Sequence, residues 1–92
     1  LAIRGEQIYR GGDIARGIPA CSACHSPTGK GNEAANYPAI AGQHAYYTEK
    51  QLNRFKTEER KNDPARIMRD IAQRMTEAEV TEVASYIQGL QP

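Results

Sequence analysis

The sequence predicts an all-α fold. Apolar residues recur at helical spacing in several segments, and no alternating strand pattern of any length is present. Irregular loops join these segments, and no internal repeat or low-complexity stretch occurs. With 92 residues, the chain is long enough for one small domain with a modest core.

The first two helices are predicted from apolar spacing and from glycine. The first covers residues 3–10 and ends at Gly11 and Gly12, because glycine readily adopts the left-handed conformation that closes a helix. The second covers residues 43–57, where apolar side chains up to Phe55 share one face.

The third helix is predicted to open at Asp63. This residue is a favourable N-cap, and Pro64 after it suits the first helical position. Ile67 and Ile71 then share one face of a short segment.

The last helix has the clearest signal. Thr76 and Glu79 form a capping-box pattern, and Gly89 ends the segment. Its apolar stripe consists of Val80, Val83, Ala84 and Ile87.

The composition indicates a thin protein core. Hydrophobic residues make up 39% of the chain, but it contains no Trp, a single Phe, and has a mean hydropathy of −0.70. A bulky apolar cofactor would compensate for this lack of large side chains.

The stretch GIPACSACHSPTGKGN contains both cysteines of the chain. On a helical turn, Cys21 and Cys24 lie on the same side, and His25 follows directly. Two thiols and an imidazole can therefore contact the same ligand. A haem fits this arrangement, because it offers two vinyl groups to the thiols and an iron atom to the imidazole. The C-x-x-C-H spacing predicts covalent attachment of one haem c through Cys21 and Cys24, with His25 as the proximal iron ligand.

Other uses of these cysteines fit less well. A thioredoxin-like redox pair is expected beside a βαβ pattern, which this sequence lacks. A zinc site would need a fourth ligand, and His44 alone remains, without a second pair of ligands. A disulfide between Cys21 and Cys24 would close too short a loop to stabilise the fold much.

The second axial position of the iron has three candidates. Met75 directly precedes the N-cap Thr76 and can form a hydrophobic staple with Val80. His44 lies at the start of the second helix, where a solvated side chain is the simplest interpretation. Spacing alone therefore favours Met68 and leaves the other two open.

Five segments resemble a class I cytochrome c, and most closely the C-terminal haem domain of the dihaem cytochrome c4 family. They are RGEQIYRGG, GIPACSACHSPTGKGN, YPAIAGQHAYYTEKQL, IMRDIAQRMTEAEV and VASYIQGL. The resemblance extends over nearly the whole chain, and the haem-attachment motif is its most specific part. It implies a small fold of helices and loops wrapped around one covalently bound haem.

The resemblance also implies roles for individual residues. Met68 would be the distal iron ligand, with Met75 in an apolar position where the family more often has leucine. The carbonyl of Pro38 would accept a hydrogen bond from the proximal histidine. Tyr47 and Gln51, one helical turn apart, would lie near a haem propionate.

Gly5 and Tyr9 match the positions at which the first helix of the family packs against the last. The absence of a side chain at Gly5 would let the two helices approach closely. The last helix offers Val83, Tyr86 and Ile87 to this contact.

The family resemblance implies a periplasmic electron carrier of a respiratory chain, and not an enzyme. Its partners would be redox proteins that donate and accept electrons, such as a terminal oxidase or a cytochrome bc1-type complex. Two alternatives remain: a haem domain of a larger multihaem or oxidoreductase polypeptide, and a ligand-binding haem protein with a labile sixth position. Because residues 1–92 begin at Leu1 and not at Met, we expect processing or excision from a longer dihaem chain.

Charge is unevenly distributed along the chain. The formal net charge is +1, but residues 50–74 carry eight basic and four acidic side chains. This stretch is either a solvated face or a docking surface for an acidic partner. Nucleic acid is an unsuitable partner because acids are interleaved with the bases, and no stretch approaches the roughly 20 apolar residues of a membrane span.

Overall fold

The structure, a computed structural model, describes residues 2–32, 34, 37–63 and 66–90. Within these ranges it contains two isolated antiparallel bridges and no β-strand, so the all-α prediction is confirmed. A short 3-10 helix covers Ile14–Arg16. The α-helices are α1 (Ala2–Gly11), α2 (Ser22–His25), α3 (Ala45–Lys56), α4 (Ile67–Arg74) and α5 (Glu77–Gly89).

Helices α1 and α3 lie where the sequence predicts them, to within two residues at each end. Gly12 closes α1 in the left-handed region, with φ 63°, and its N–H donates to the Ile8 carbonyl at 2.9 Å. This is the glycine termination that the sequence indicates.

The predicted start of α4 at Asp63 is wrong. The helix begins at Ile67, and its N-cap is Arg66, whose left-handed backbone, with φ 63°, prevents the helix from continuing towards the N-terminus. Pro64 lies outside the described residues. Asp63 nevertheless stabilises the first turn of α4, because its carboxylate accepts a hydrogen bond from the Arg69 N–H at 2.9 Å.

Helix α5 begins with the predicted capping box. The Glu79 N–H donates to Thr76 Oγ1 at 3.2 Å, and the Thr76 N–H donates to Glu79 Oε1 at 2.8 Å. Met75 and Val80 are both buried in the same core cluster, as the predicted staple requires. The start of α5 is thus fixed by polar and apolar contacts together.

Helices α1 and α5 pack closely at Gly5. A Cβ atom added to Gly5 would overlap the Glu82 carbonyl and lie 2.8 Å from the Tyr86 Cβ. The fully buried Tyr9 ring packs against the Tyr86 ring, with 5.5 Å between centroids. The predicted close approach of the first and last helices is confirmed.

We predict that Gly5→Ala destabilises the protein by about 1–3 kcal/mol, because the added methyl group must push α1 away from α5. Gly11→Ala is a matched control in the same helix, since nothing lies within 4 Å of a Cβ at that position. Denaturant unfolding of both holoprotein variants measures the difference. Equal stability of the two variants would contradict the close packing.

The core lies where α3 and α5 meet, next to the crossing of α1 and α5. Its buried members are Ile8, Tyr9, Ile18, Leu52, Met75, Val80, Val83 and Ile87. Cys21, Ile40 and Met68 pack against this cluster while staying partly exposed. Thus both the attachment turn and α4 border the core. In the described part of the chain, every helix is too short or too polar to cross a membrane.

Candidate haem site

The two cysteines lie on one helical turn. Cys21 immediately precedes α2, and its carbonyl accepts hydrogen bonds from the N–H groups of Cys24 at 3.2 Å and His25 at 2.9 Å. Both thiols are free, and neither forms a disulfide. This turn presents both sulfur atoms and the imidazole within one short segment.

Cys21 is not activated as a redox nucleophile. Burial, with a smaller contribution from the neighbouring Cys24, raises the pKa of the Cys21 thiol to about 11. Reactive dithiols of the thioredoxin type require a lowered pKa. Among the described residues, no group of three or more His, Cys, Asp or Glu side chains is arranged to hold a metal ion.

The imidazole of His25 is oriented by the backbone of a distant loop. His25 Nδ1 lies 2.8 Å from the Pro38 carbonyl oxygen. A carbonyl can only accept, so Nδ1 carries the proton and Nε2 keeps a free lone pair. The ring is therefore in the tautomer that a metal-binding histidine needs.

The loop that carries Pro38 is held by backbone hydrogen bonds. Asn32 and Tyr37 exchange two of them, at 2.7 and 2.9 Å. The Gly31 N–H donates to the His25 carbonyl at 2.9 Å, and Gly31 has φ 76°. A Cβ at Gly31 would lie 2.6 Å from the Pro38 oxygen, so glycine there permits the close approach of Pro38 to His25.

Met68 occupies the second position of α4 and is partly buried against the core. The helix is anchored by Asp63, whose carboxylate also accepts from Arg69 Nε at 3.0 Å. Burial raises the pKa of Asp63, but the Arg69 N–H and guanidinium outweigh it and hold the pKa below its usual value. The carboxylate therefore stays ionised and fixes the helix that presents Met68.

The two other candidate ligands have different surroundings. The Met75 side chain is only 3% exposed and lies within the core, while its carbonyl accepts from Lys56 Nζ at 2.6 Å. His44 is exposed and forms the N-cap of α3 without a side-chain hydrogen bond. Of the three, Met68 alone lies at the edge of the core with part of its side chain accessible.

Tyr47 and Gln51 line one open cavity of about 530 Å³ on the outer side of α3. Gln51 Oε1 accepts from Arg60 Nη1 at 3.0 Å, and the Arg60 guanidinium stacks 4.6 Å from the Phe55 ring centroid. The remaining lining residues are Arg54, Glu59, Arg60, Lys61 and Asn62. The cavity is thus rich in hydrogen-bond donors and cations.

Sequence reasoning did not single out Arg60 or Arg16. Arg60 belongs to a charged run that is typical of a surface connection, and its place over Phe55 follows from a fold-back after α3, where its N–H donates to the Arg54 carbonyl at 3.0 Å. Arg16 lies far along the chain from its partner Glu79.

Several charges in the basic stretch are neutralised. Arg66 pairs with Glu58 at 3.0 Å, and Arg69 pairs with Asp63. By contrast, four exposed cations of this stretch have no ion pair within the described residues: Lys50, Arg54, Lys61 and Arg74.

The donor set fits a covalently attached haem. Two free thiols supply the atoms for thioether bonds, His25 supplies a free Nε2, and Met68 supplies a partly accessible thioether sulfur. These are the groups with which c-type cytochromes hold their cofactor. The hydrogen bond from His25 to Pro38 is the contact that orients such an imidazole.

Comparison with known proteins identifies the family. The family model described as Cytochrome c matches residues 2–91. Cytochrome c4 of Azotobacter vinelandii is 51% identical over 91 residues, which cover 98% of this chain and 43% of that protein. The thiosulfate dehydrogenase electron acceptor of Thiomonas intermedia is 41% identical over 86 residues, which cover 94% of this chain and 39% of that protein.

A solved structure agrees with the sequence comparison. The crystal structure of reduced recombinant cytochrome c4 from Pseudomonas stutzeri matches with a TM-score of 0.96 and 45% sequence identity, over 98% of this chain and 48% of that one. The chain thus spans less than half the length of these relatives. It belongs to the cytochrome c family, has the class I fold seen in cytochrome c4, and binds the covalent haem c of that family.

Proposed function

We propose that this chain is a single-electron carrier whose haem is attached through Cys21 and Cys24 and held axially by His25 and Met68. The observation that carries the proposal is the 2.8 Å contact between His25 Nδ1 and the Pro38 oxygen. It fixes the tautomer that leaves Nε2 free for iron. The partly exposed Met68 on α4 supplies the second axial donor.

The bound haem supplies one-electron chemistry at its iron. With His25 and Met68 as its two protein ligands, the iron would have no open position for a substrate, as expected for a carrier and not for an enzyme. Sulfur from Met68 stabilises the reduced state and raises the potential relative to two histidines. The hydrogen bond accepted by Pro38 raises the basicity of the His25 imidazole.

Tyr47 and Gln51 hold a haem propionate in this proposal. Their side chains line the same cavity, and both offer hydrogen-bond donors. Arg60 fixes Gln51 through the hydrogen bond to Oε1, which leaves the amide N–H₂ of Gln51 available to an anion.

The chain acts in the periplasm as one haem domain of a longer, dihaem electron carrier. This proposal is supported by the cytochromes c4, which are more than twice as long as the chain. Its partners are redox proteins of a respiratory chain, such as a terminal oxidase or a cytochrome bc1-type complex. The likeness to a thiosulfate dehydrogenase electron acceptor favours a second candidate, in which an oxidoreductase delivers the electrons.

The exposed cations predict how electron exchange depends on salt. Lys50 and Lys61 attract an anionic partner, so oxidation of the reduced holoprotein by anionic hexacyanoferrate should slow as ionic strength rises. Reduction by cationic hexaammineruthenium should become faster instead. Stopped-flow mixing at several salt concentrations measures both rates.

Replacing Lys50 and Lys61 together by glutamine should lower the rate with hexacyanoferrate roughly tenfold at low salt, with little change in potential. Lys30→Gln is the matched control, because Lys30 is also exposed and forms no ion pair within the described residues, but lies outside the basic stretch. Equal rates for the two variants, or a rate independent of salt, would argue for an apolar docking surface.

A further inference from the structure

Arg16 connects the segment that precedes the attachment turn with the junction between α4 and α5. Its guanidinium binds Glu79 through both nitrogens, with Nη1 donating to Oε2 at 2.6 Å and Nη2 donating to Oε1. Nη2 also donates to the Arg74 carbonyl at 2.8 Å, and Nη1 to Asp13 Oδ2 at 3.3 Å. One side chain therefore holds the last carbonyl of α4 and the first turn of α5.

The partner of Arg16 is itself immobilised. The Glu79 side chain is only 5% exposed, and its carboxylate accepts the Thr76 N–H in the capping box. The hydrogen bonds from Arg16, aided by the Thr76 N–H, lower the pKa of Glu79 to about 2 despite its burial. Glu79 is thus ionised at neutral pH, and its hydrogen bonds hold it at the junction.

The same contact brings the loop before the cysteines against the end of α4. Gly17 has φ 74°, and a Cβ there would lie 3.2 Å from Arg74 Nε. Ile18 follows in the core, and Cys21 packs against that core shortly afterwards. The hydrogen bonds of Arg16 therefore connect the segment that leads to the cysteines with the end of the helix that carries Met68.

We propose that Arg16 is a positioning residue that sets the distance between the attachment turn and α4, and thereby keeps the Met68 sulfur bound to the haem iron. The inference rests on the proposed His25 and Met68 ligation. Two covalent bonds and His25 retain the cofactor on one side, whereas Met68 is held only by the placement of its helix. Loss of the hydrogen bonds from Arg16 to Glu79 and to the Arg74 carbonyl should therefore weaken the bond between the Met68 sulfur and the iron before it weakens the other attachments of the haem.

The geometry requires arginine in particular. Only a planar guanidinium can bind both carboxylate oxygens of Glu79 and also reach the Arg74 carbonyl. Arg4 approaches the same carboxylate at 3.9 Å and Glu82 at 3.8 Å, but among the described residues no hydrogen bond joins Arg4 to Glu79 or to the Arg74 carbonyl. The chain thus offers a matched control, because Arg4→Gln removes the same charge beside the same anion.

The experiment compares Arg16→Gln with Arg4→Gln as ferric holoproteins. Imidazole is titrated at low temperature, well below unfolding, and the near-infrared sulfur-to-iron band is followed. We expect imidazole to displace Met68 from Arg16→Gln at a concentration about tenfold lower than from the unmodified protein, since a charge-assisted contact no longer opposes the displacement. Arg4→Gln should titrate like the unmodified protein.

Val83→Ala separates positioning from general loss of stability. It removes buried volume from the core and destabilises the fold, while the hydrogen bonds of Arg16 are left in place. Imidazole affinity of Val83→Ala should stay near that of the unmodified protein. Arg16→Lys keeps the positive charge but lacks the planar guanidinium, should show an intermediate imidazole affinity, and replaces Arg16→Gln in the comparison if that variant fails to fold.

Three results would overturn the inference. If the two Arg16 variants titrate like the unmodified protein, or if Val83→Ala gains as much imidazole affinity as they do, Arg16 does not position Met68, and the proposed ligation stands. If the unmodified protein has no sulfur-to-iron band, the Met68 ligation fails and this inference fails with it.

Discussion

Replacing Met68 by alanine is expected to abolish the near-infrared sulfur-to-iron band, lower the reduction potential and open the iron to small ligands. The physical reason is the loss of the soft sulfur donor that favours ferrous iron. Because α4 stays anchored through Asp63 and Arg69, the helix itself should remain. Absorption spectroscopy and potentiometric titration of the holoprotein measure all three effects.

The control for this prediction is Met75→Leu. Met75 is buried in the core with Val80, and exchange of methionine for leucine conserves volume, so the cost should stay below about 1.5 kcal/mol. The band and the potential should be unchanged. Loss of the band in Met75→Leu, with retention in Met68→Ala, would reverse the assignment of the ligand.

The second large effect concerns the attachment turn. Cys21→Ser or Cys24→Ser leaves one thioether bond, and we expect a large fraction of the chains to lose haem on denaturation and to fold poorly. The small apolar core cannot compensate, because it lacks tryptophan and has one phenylalanine. Cys21→Ser should have the larger effect, since Cys21 packs against the core and a serine hydroxyl there is poorly solvated.

Ala23→Ser is the matched control for the cysteine variants, because Ala23 is exposed on the same turn. It introduces the same hydroxyl without removing a sulfur atom, and it should retain haem fully. Haem absorbance after acid extraction measures how much haem each variant keeps, and far-ultraviolet circular dichroism measures how well it folds. A well-folded chain of native sequence that carries no haem would contradict the dependence of the fold on its cofactor.

Local signals in the sequence predict much of the fold. The capping box of α5 is confirmed because Thr76 and Glu79 contact each other within one turn. The closeness of α1 and α5 at Gly5 is confirmed because a missing side chain has an immediate steric consequence. The attachment turn follows from the spacing of three residues with unusual chemistry.

Long-range and loop features are harder to predict. The start of α4 is displaced from Asp63 because Arg66 adopts a left-handed backbone, which arginine adopts only where tertiary contacts compensate for the strain. The tie between Arg16 and Glu79 has no local signature, since exposed arginines are common and its partner lies in another helix. The stacking of Arg60 on Phe55 depends on a fold-back that the charged run does not reveal.

Carbon monoxide binding to the reduced, unmodified holoprotein tests the central claim most directly. If His25 and Met68 fill both axial positions, the visible spectrum of the ferrous protein should stay unchanged after saturation with the gas, because no iron site is vacant. Immediate formation of a carbon monoxide complex at neutral pH would contradict the account, and would indicate a ligand-binding haem protein with a labile sixth position.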